Sequence, residues 1–206
     1  MLLDFNYLMN KYKMDVKGVL HIGGFYGEEN ELYNQFGIKN KIFFEPHPTT
    51  FQKLQENVKD STLYNFGLGN HSGFTTMYCE EWNRGASNSL LKPKIHLQQY
   101  PHIKFTNQVK VMIQRLDDIH SFDRNNYNMI NMDVQGYELN VLKGGFQSLS
   151  FIDYIITEVN NCEVYENCTL INDLDLFLYR FGFQRMETSW DGVTWGDAFY
   201  VRNNII

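Results

Sequence analysis

Residues 18–33 read GVLHIGGFYGEENELY. A short apolar run leads into Gly23, Gly24 and Gly27, and an acidic amphipathic stretch follows. Glycine weakens strands and helices alike, so three in one turn imply that something approaches the backbone closely there. Residues 18–22 read as a buried strand, the glycines as a turn, and residues 28–36 as a helix stopped by Gly37. The pattern then repeats. KIFFE (41–45) is a second buried strand, broken by Pro46 and Pro48. TTFQKLQENV (49–58) is a helix opened by Thr49 or Thr50 as cap, and TLYNFGLG (62–69) is a third strand. Strand alternating with helix predicts an α/β fold built on a parallel sheet.

Upstream, residues 3–13 form a short amphipathic helix. Downstream, GFTTMYC (73–79) and QVKVMIQRL (108–116) read as antiparallel strands or an edge extension. They flank a polar stretch, EEWNRGASNSLLKPKIHLQQYPH (80–102), whose length suits a lid or binding loop. Alternation resumes with the strand YNMINMD (127–133), the helix GYELNVLKGG (136–145), the strand YIITEV (154–159) and the helix LINDLDLFLYRFG (170–182). FQRMETSW (183–190) and DAFYVR (197–202) close the chain as a hairpin-like pair, which brings the count to about seven core strands. The expectation is one domain over residues 1–206, with 80–106 as a substrate or lid insertion.

The bulk numbers limit the function. A chain of 206 residues with 43% hydrophobic and 20% charged residues supports one globular core. Aromatics at 16% predict a bulky core or an aromatic-lined cleft. The formal net charge is −6, and the densest basic feature is the pair Lys92 and Lys94. That disfavours nucleic acid as a partner, because phosphate neutralisation supplies most of such affinity. Cys79, Cys162 and Cys168 form neither a disulfide framework nor a zinc pattern, and read as buried or half-buried thiols. No apolar run approaches membrane-spanning length and no leader is recognisable, so the reading is a cytoplasmic protein without a membrane partner.

In open α/β sheets, ligands bind beyond the carboxyl ends of the strands. Four predicted strand ends carry polar residues: His21 with the glycine loop, Glu45, Asp133 in MDVQGYE, and Glu158 in TEVNN. Glu45, about twenty residues after the glycines, stands where a carboxylate binds a ribose diol. The spacing Gly-Gly-x-x-Gly departs from the dinucleotide pattern G-x-G-x-x-G. Glu28 and Glu29 at the helix start suit its dipole but repel a pyrophosphate. A cationic cofactor without phosphate, such as S-adenosylmethionine, fits better. Asp133 and Glu158, on neighbouring strand ends, can orient a hydroxyl, act as general base or hold a cation. Glu138 is equally explained as charge at a helix N-terminus. His47 is placed beside an adenine. His96 and His102, in the polar stretch, are candidate bases if they are not merely solvated.

HIGGFYGEE (21–29), FFEPHP (43–48), NFGLGNHSG (65–73), QRLDD (114–118) and NMDVQGYELNVLKGG (131–145) resemble, in that order, the FkbM family of S-adenosylmethionine-dependent methyltransferases. IITEVN (155–160) and WGDAFYVR (195–202) resemble that family's tail. The resemblance implies a class I methyltransferase (Rossmann-like) fold. That is a seven-stranded, mostly parallel sheet with helices on both faces, six strands parallel and the last in order antiparallel. It implies S-adenosyl-L-methionine as cofactor and methyl transfer to oxygen, often on a sugar or a glycosylated natural product. Carried over by motif, the cofactor residues are His21, Gly23, Gly24, Gly27 and Glu45, with Pro46, Phe66, Gly67 and Leu68 on the adenine side and Asp133 and Gln135 opposite. Many members carry Asp at the position of His21, and a serine pair where this chain has Ser87-Asn88-Ser89.

The expected activity is O-methylation of a small-molecule hydroxyl, that of a sugar or glycan precursor. Asp133, Glu158 and His96 are the candidate catalytic residues, and Trp82, Tyr100, Trp190 and Trp195 the candidate sugar-stacking rings. A divalent metal is compatible with the two carboxylates, but nothing in the sequence demands one. The rival readings are a catalytically degenerate cofactor-binding or assembly module and a nicotinamide-dependent oxidoreductase.

Overall fold

The computed structural model describes residues 2–205. Seven strands form one sheet: β1 (Gly18–Ile22), β2 (Asn40–Phe44), β3 (Thr62–Tyr64), β7 (Met129–Met132), β8 (Tyr154–Asn160), β9 (Phe183–Asp191) and β10 (Trp195–Arg202). Their order is β3-β2-β1-β7-β8-β10-β9. β10 runs antiparallel to both β8 and β9, and the other neighbours pair in parallel. The chain thus winds outward from β1 in one direction, then restarts at β7 on its other side. This reversal opens a crevice beyond the carboxyl ends of β1 and β7.

Side-chain alternation gives the sheet two apolar faces. Leu20, Ile22, Ile42, Phe44 and Ile155 pack on one face with α5 (Glu138–Gly144) and α6 (Ile171–Tyr179), through Val141, Leu142, Leu174 and Leu178. Val19, Phe43, Ile156, Phe199 and Val201 pack on the other with α1 (Phe5–Tyr12), α2 (Asn30–Gln35) and α3 (Pro48–Asn57), through Phe5, Leu8, Tyr33 and Leu54. Burial on both faces explains why β1, β7 and β8 read as continuous apolar runs.

Residues 62–69 are not one strand. Thr62–Tyr64 edges the main sheet. After a break at Asn65, whose side chain donates to the carbonyls of Glu45 and Pro46 at 2.9 and 3.3 Å, β4 (Gly67–Leu68) joins a second sheet. There it pairs in parallel with β6 (Asn107–Gln114), and β5 (Gly73–Cys79) pairs antiparallel on the other side of β6. The long polar stretch runs between β5 and β6 and contains only the single turn α4 (His96–Gln99). α3 is capped by His47, whose ring nitrogen accepts from the Thr50 N–H at 3.3 Å, with Pro48 at the first helical position. Its cap is therefore neither Thr49 nor Thr50. Among the described residues no helix is long and apolar enough to cross a membrane.

Candidate active site

The glycine turn closes against its own chain. A Cβ on Gly23, where φ is +86°, would lie 1.9 Å from the Asp133 carbonyl oxygen. One on Gly27, at φ +75°, would lie 2.3 Å from Val58, and one on Gly24 would press on Leu54 and Phe43. The N–H groups of Gly23 and Gly24 both donate to the Phe44 carbonyl, at 3.0 and 2.9 Å. What approaches these glycines is β7 and α3. Of the three, only Gly23 reaches a cavity wall.

The crevice holds two adjoining cavities. The first, of about 300 Å³, is lined by His21, Gly23, Phe25, Glu45, Pro46, Gly67 and Leu68, with Asp133 and Gln135 at its far side. Gly24, Gly27, Phe66 and His47 are not in its lining. Phe66 packs into the core against Phe44 and Tyr64, and the His47 ring caps α3. Glu45 is 6% exposed. Its carboxylate accepts from the Phe25 N–H at 3.0 Å and the His47 N–H at 2.8 Å. Burial nevertheless raises its pKa to about 7, against the lowering effect of those two N–H groups. A further pair of donors facing it would restore full ionisation.

His21 is buried, stacked on Phe43 at 4.8 Å, and its Nδ1 lies 2.9 Å from the Tyr33 hydroxyl. That hydroxyl also accepts from the Asn131 amide at 2.6 Å. Burial pushes the His21 pKa down, although Glu29 at 3.8 Å opposes it. This histidine is a neutral, fixed part of the wall.

The second cavity, of about 520 Å³, lies on the side of the β5–β6 insertion. Asn83, Ala86, Asp133, Gln135, Glu158 and Asp197 line both cavities and so form the wall they share. At its centre the Gln135 amide nitrogen donates to Asp133 Oδ1 and to Glu158 Oε2, each at 2.7 Å. Gln135 has φ +54° and Gly136 φ +96°. A left-handed non-glycine residue is costly and is kept where the surroundings over-determine it. Here the surroundings are Tyr165, whose hydroxyl donates to Gln135 Oε1 at 2.7 Å, and Ser89, whose hydroxyl donates to the Gln135 carbonyl at 2.7 Å. The Ser87-Asn88-Ser89 stretch thus fastens the insertion to the turn after β7. The Ser87 carbonyl lies 3.0 Å from the same Tyr165 hydroxyl, whose one proton goes to the nearer Gln135 Oε1.

Glu158 is 5% exposed. Burial, with the charges of Asp133, Glu138 and Asp197 behind it, raises its pKa well above the carboxylate range. Burial also raises Glu138 to about 8 and leaves its Oε2 without a partner, while Oε1 accepts from the Gly136 N–H at 2.9 Å. Asp197 is raised chiefly by burial and accepts from the Leu2 and Leu3 N–H groups, the latter at 3.2 Å. The site therefore gathers more buried carboxyls than it can ionise unless a cation enters. Among the described residues no cluster of His, Cys, Asp or Glu has a metal-binding arrangement.

His96 is buried rather than solvated. It sits in α4 among Tyr100, Phe105 and Tyr165, lines the second cavity, and keeps an unpartnered Nδ1. Burial lowers its pKa, so it is neutral near pH 7. Trp82, Tyr100, His102 and Trp195 line the same cavity, and Trp195 Nε1 donates to the Tyr100 hydroxyl at 3.0 Å. Trp190 does not line it.

Sequence reasoning missed three contributors. Asp197, expected only at the end of a substrate-contacting turn (190–197), carried no signal as a neighbour of Glu158, because only the return of β10 beside β8 brings it opposite that residue. Tyr165 lies in a loop with no motif. Arg84, at φ +58°, lies over the Phe25 and Tyr26 rings at 5.8 and 5.7 Å and 3.9 Å from Glu28, bridging the insertion to the glycine turn.

Comparison with known proteins agrees with this geometry. The sequence profile described as "Methyltransferase FkbM domain" matches residues 21–185. The 2-O-methyltransferase NoeI of Sinorhizobium fredii (strain NBRC 101917 / NGR234) is 30% identical over 165 residues. That match covers 72% of this chain and 65% of that protein's length. Among solved structures, the ribosomal protein L11 methylase of Lactobacillus delbrueckii subsp. bulgaricus superposes with a TM-score of 0.52 at 11% identity, over 94% of this chain and 75% of that one. Streptococcus pneumoniae Sp1610, described as "a putative tRNA (m1A22) methyltransferase" and solved with S-adenosyl-L-methionine, superposes with a TM-score of 0.52 at 14% identity, over 97% and 73%. These structural likenesses establish a shared fold, the class I methyltransferase sheet.

Proposed function

The chain belongs to the FkbM methyltransferase family, and from that premise we propose that it transfers a methyl group from S-adenosylmethionine to a hydroxyl oxygen of a small molecule, a sugar or glycan precursor. The observation that carries the cofactor reading is the excess of carboxyls over basic groups in the first cavity. Glu28, Glu29, Glu45, Asp133, Glu158 and Asp197 line it against one guanidinium, that of Arg84, which is already near Glu28. Such a wall suits a cationic ligand and repels a pyrophosphate. Glu45 adds a buried carboxylate with capacity for two vicinal hydroxyls.

When bound, S-adenosylmethionine supplies a methyl group on a cationic sulfur. Glu45 holds the ribose diol, with Pro46, Gly67 and Leu68 alongside the base. Asp133 and its neighbours on the shared wall face the cationic end. The second cavity takes the acceptor, and residues 80–106 serve as the lid that shapes it and keeps water out. Gln135 fixes Asp133 and Glu158 where a hydroxyl reaching through the wall meets them, and one of this pair takes the proton that the hydroxyl loses. His96, neutral and with a free Nδ1, is the second proton acceptor on the acceptor side. Rate enhancement comes chiefly from holding the hydroxyl in place.

The test is parallel calorimetric titration with S-adenosylmethionine, S-adenosylhomocysteine and NADH. A methyl-labelled transfer assay over sugars and glycan precursors follows, with mass spectrometry to locate the methyl on oxygen. Binding of the first two ligands, followed by labelled ether product, is the expected result. Binding of NADH alone replaces the proposal with an oxidoreductase. Cofactor binding without transfer to any acceptor replaces it with a binding module.

A further inference from the structure

Resting on that reading, we propose that the second cavity selects its acceptor by charge: it takes a neutral or amino-bearing pyranose and excludes sugars carrying phosphate, sulfate or carboxylate. The lining contains Asp133, Glu158, Asp191 and Asp197 and neither lysine nor arginine. Of its two histidines, burial holds His96 neutral, and His102 is exposed at the rim. An anion entering this space sheds its water without gaining a cation, which is costly in a confined site. Four carboxyls, at least one ionised, add repulsion across a few ångströms. A phosphodiester chain meets the same obstacle, because its affinity depends on basic side chains. The fold shared with a tRNA methyltransferase therefore does not extend to the acceptor.

The same lining favours what it does not exclude. Neutral sugar hydroxyls donate to carboxylates, and an ammonium group pairs with them. Trp82, Tyr100 and Trp195 offer ring faces and edges to the C–H surface of a pyranose, and the bond from Trp195 to Tyr100 at 3.0 Å holds two of them in a fixed relation. The volume, about 520 Å³, falls within the range of roughly 300–1,000 Å³ usual for small-molecule sites.

The experiment is saturation-transfer NMR on the protein loaded with S-adenosylhomocysteine. The probes are methyl glucoside, glucosamine, glucose 6-phosphate and glucuronate in one mixture. The expected result is transfer to the first two and at least about tenfold less to the two anions. Trp82→Ala, at a side chain 54% exposed, should reduce transfer to the neutral sugar without unfolding the protein. Asp191→Lys, at an exposed strand end, should admit glucose 6-phosphate by placing a cation in the lining. Equal or stronger transfer to the anions in the unaltered protein overturns the charge selection. No transfer to any sugar while S-adenosylhomocysteine remains bound overturns the pyranose assignment and leaves the cofactor reading intact. Failure of S-adenosylhomocysteine to bind removes both.

Discussion

The Tyr165 hydroxyl donates to Gln135 Oε1 at 2.7 Å, and that one bond sets which end of the Gln135 amide faces the acidic wall. With the oxygen so engaged, both amide hydrogens are left for Asp133 and Glu158. A residue in a loop after β8 thereby controls the spacing of two carboxyls on different strands. Tyr165 is fully buried, so Tyr165→Phe keeps its packing and removes only the hydroxyl. The oxygen of Gln135 is then left without its donor. The expected cost is about 1–3 kcal/mol of stability, read by denaturant unfolding. Cofactor affinity should change by less than about threefold, since no atom of Tyr165 lines the first cavity. An unchanged unfolding midpoint would show that the bond does not orient Gln135.

The glycine turn yields a second prediction. Gly23→Ala places a methyl group 1.9 Å from the Asp133 carbonyl at a φ of +86°. Backbone cannot yield as a side-chain tip does, so β1 and β7 must part at the floor of the crevice. The variant should fail to accumulate as folded protein. Gly37→Ala is the control. Its φ is +70° but nothing lies within 4 Å of the added carbon, so only the left-handed conformation is penalised, by about 1–2 kcal/mol. A soluble Gly23→Ala with a midpoint matching that of Gly37→Ala would mean that the close approach is not required for folding.

That contrast shows what the sequence could and could not reveal. The apolar runs of β1, β2, β7 and β8 were legible because burial on both faces writes itself into consecutive residues. The demand for glycine was legible as well, but its cause was not. A turn that must admit a ligand and one that must admit a carbonyl oxygen or a leucine look the same locally. The break at Asn65 was hidden for a related reason, since it depends on carbonyls of Glu45 and Pro46 that only the folded chain brings near. His96 reads as a loop histidine until Phe105 and Tyr165 close around it. Glu45 and Asp133 were legible because each ends a recognisable strand beside the switch point.

Glu45 carries a direct test of the cofactor site. Glu45→Ala would strip the Phe25 and His47 N–H groups of their acceptor and confuse binding with folding. Glu45→Gln keeps the side-chain volume and one acceptor oxygen, but loses the charge and the acceptor of one of those two N–H groups. A hydrogen bond to a charged group contributes about 1.5–3 kcal/mol, so S-adenosylmethionine should bind roughly 10- to 100-fold more weakly. Affinity should also fall as pH drops below about 7, where Glu45 becomes protonated in the free protein. Calorimetry of both proteins at pH 6 and pH 8 checks this. Unchanged affinity in Glu45→Gln would remove it as a ribose ligand.

The acidic wall makes stability depend on pH in an unusual direction. Glu45 is raised to about 7, Glu138 to about 8, and Glu158 well above the usual carboxylate value, all by burial first. In each case the folded state holds a proton that the unfolded chain, with carboxyl pKa values near 4, has lost. The stability these groups contribute is fully present below the unfolded value and is lost as pH rises through the folded one. Buried His21 and His96 and half-buried His47 act in the opposite sense, because burial lowers their pKa values. Their effect ends once the unfolded histidines are neutral, near 6.5. Between pH 7 and pH 8.5 the carboxyls act without that opposition, and Cys79, raised to about 11 by burial, adds to them near the upper end. The thermal midpoint of the free protein should therefore fall across this interval. Glu138→Gln, which replaces a carboxyl holding its proton with an uncharged amide, should flatten the part of the slope that lies below about pH 8. S-adenosylmethionine should flatten it too, because a cation entering the wall takes the place of a proton. The corresponding calorimetric signature is net proton release on binding, seen as a heat that varies with the ionisation enthalpy of the buffer. S-adenosylhomocysteine, lacking the sulfonium charge, should release fewer protons. A midpoint that is flat or rises from pH 7 to pH 8.5 would mean that the wall is ionised in the free protein, and the charge of the ligand would then no longer explain the carboxyls gathered there.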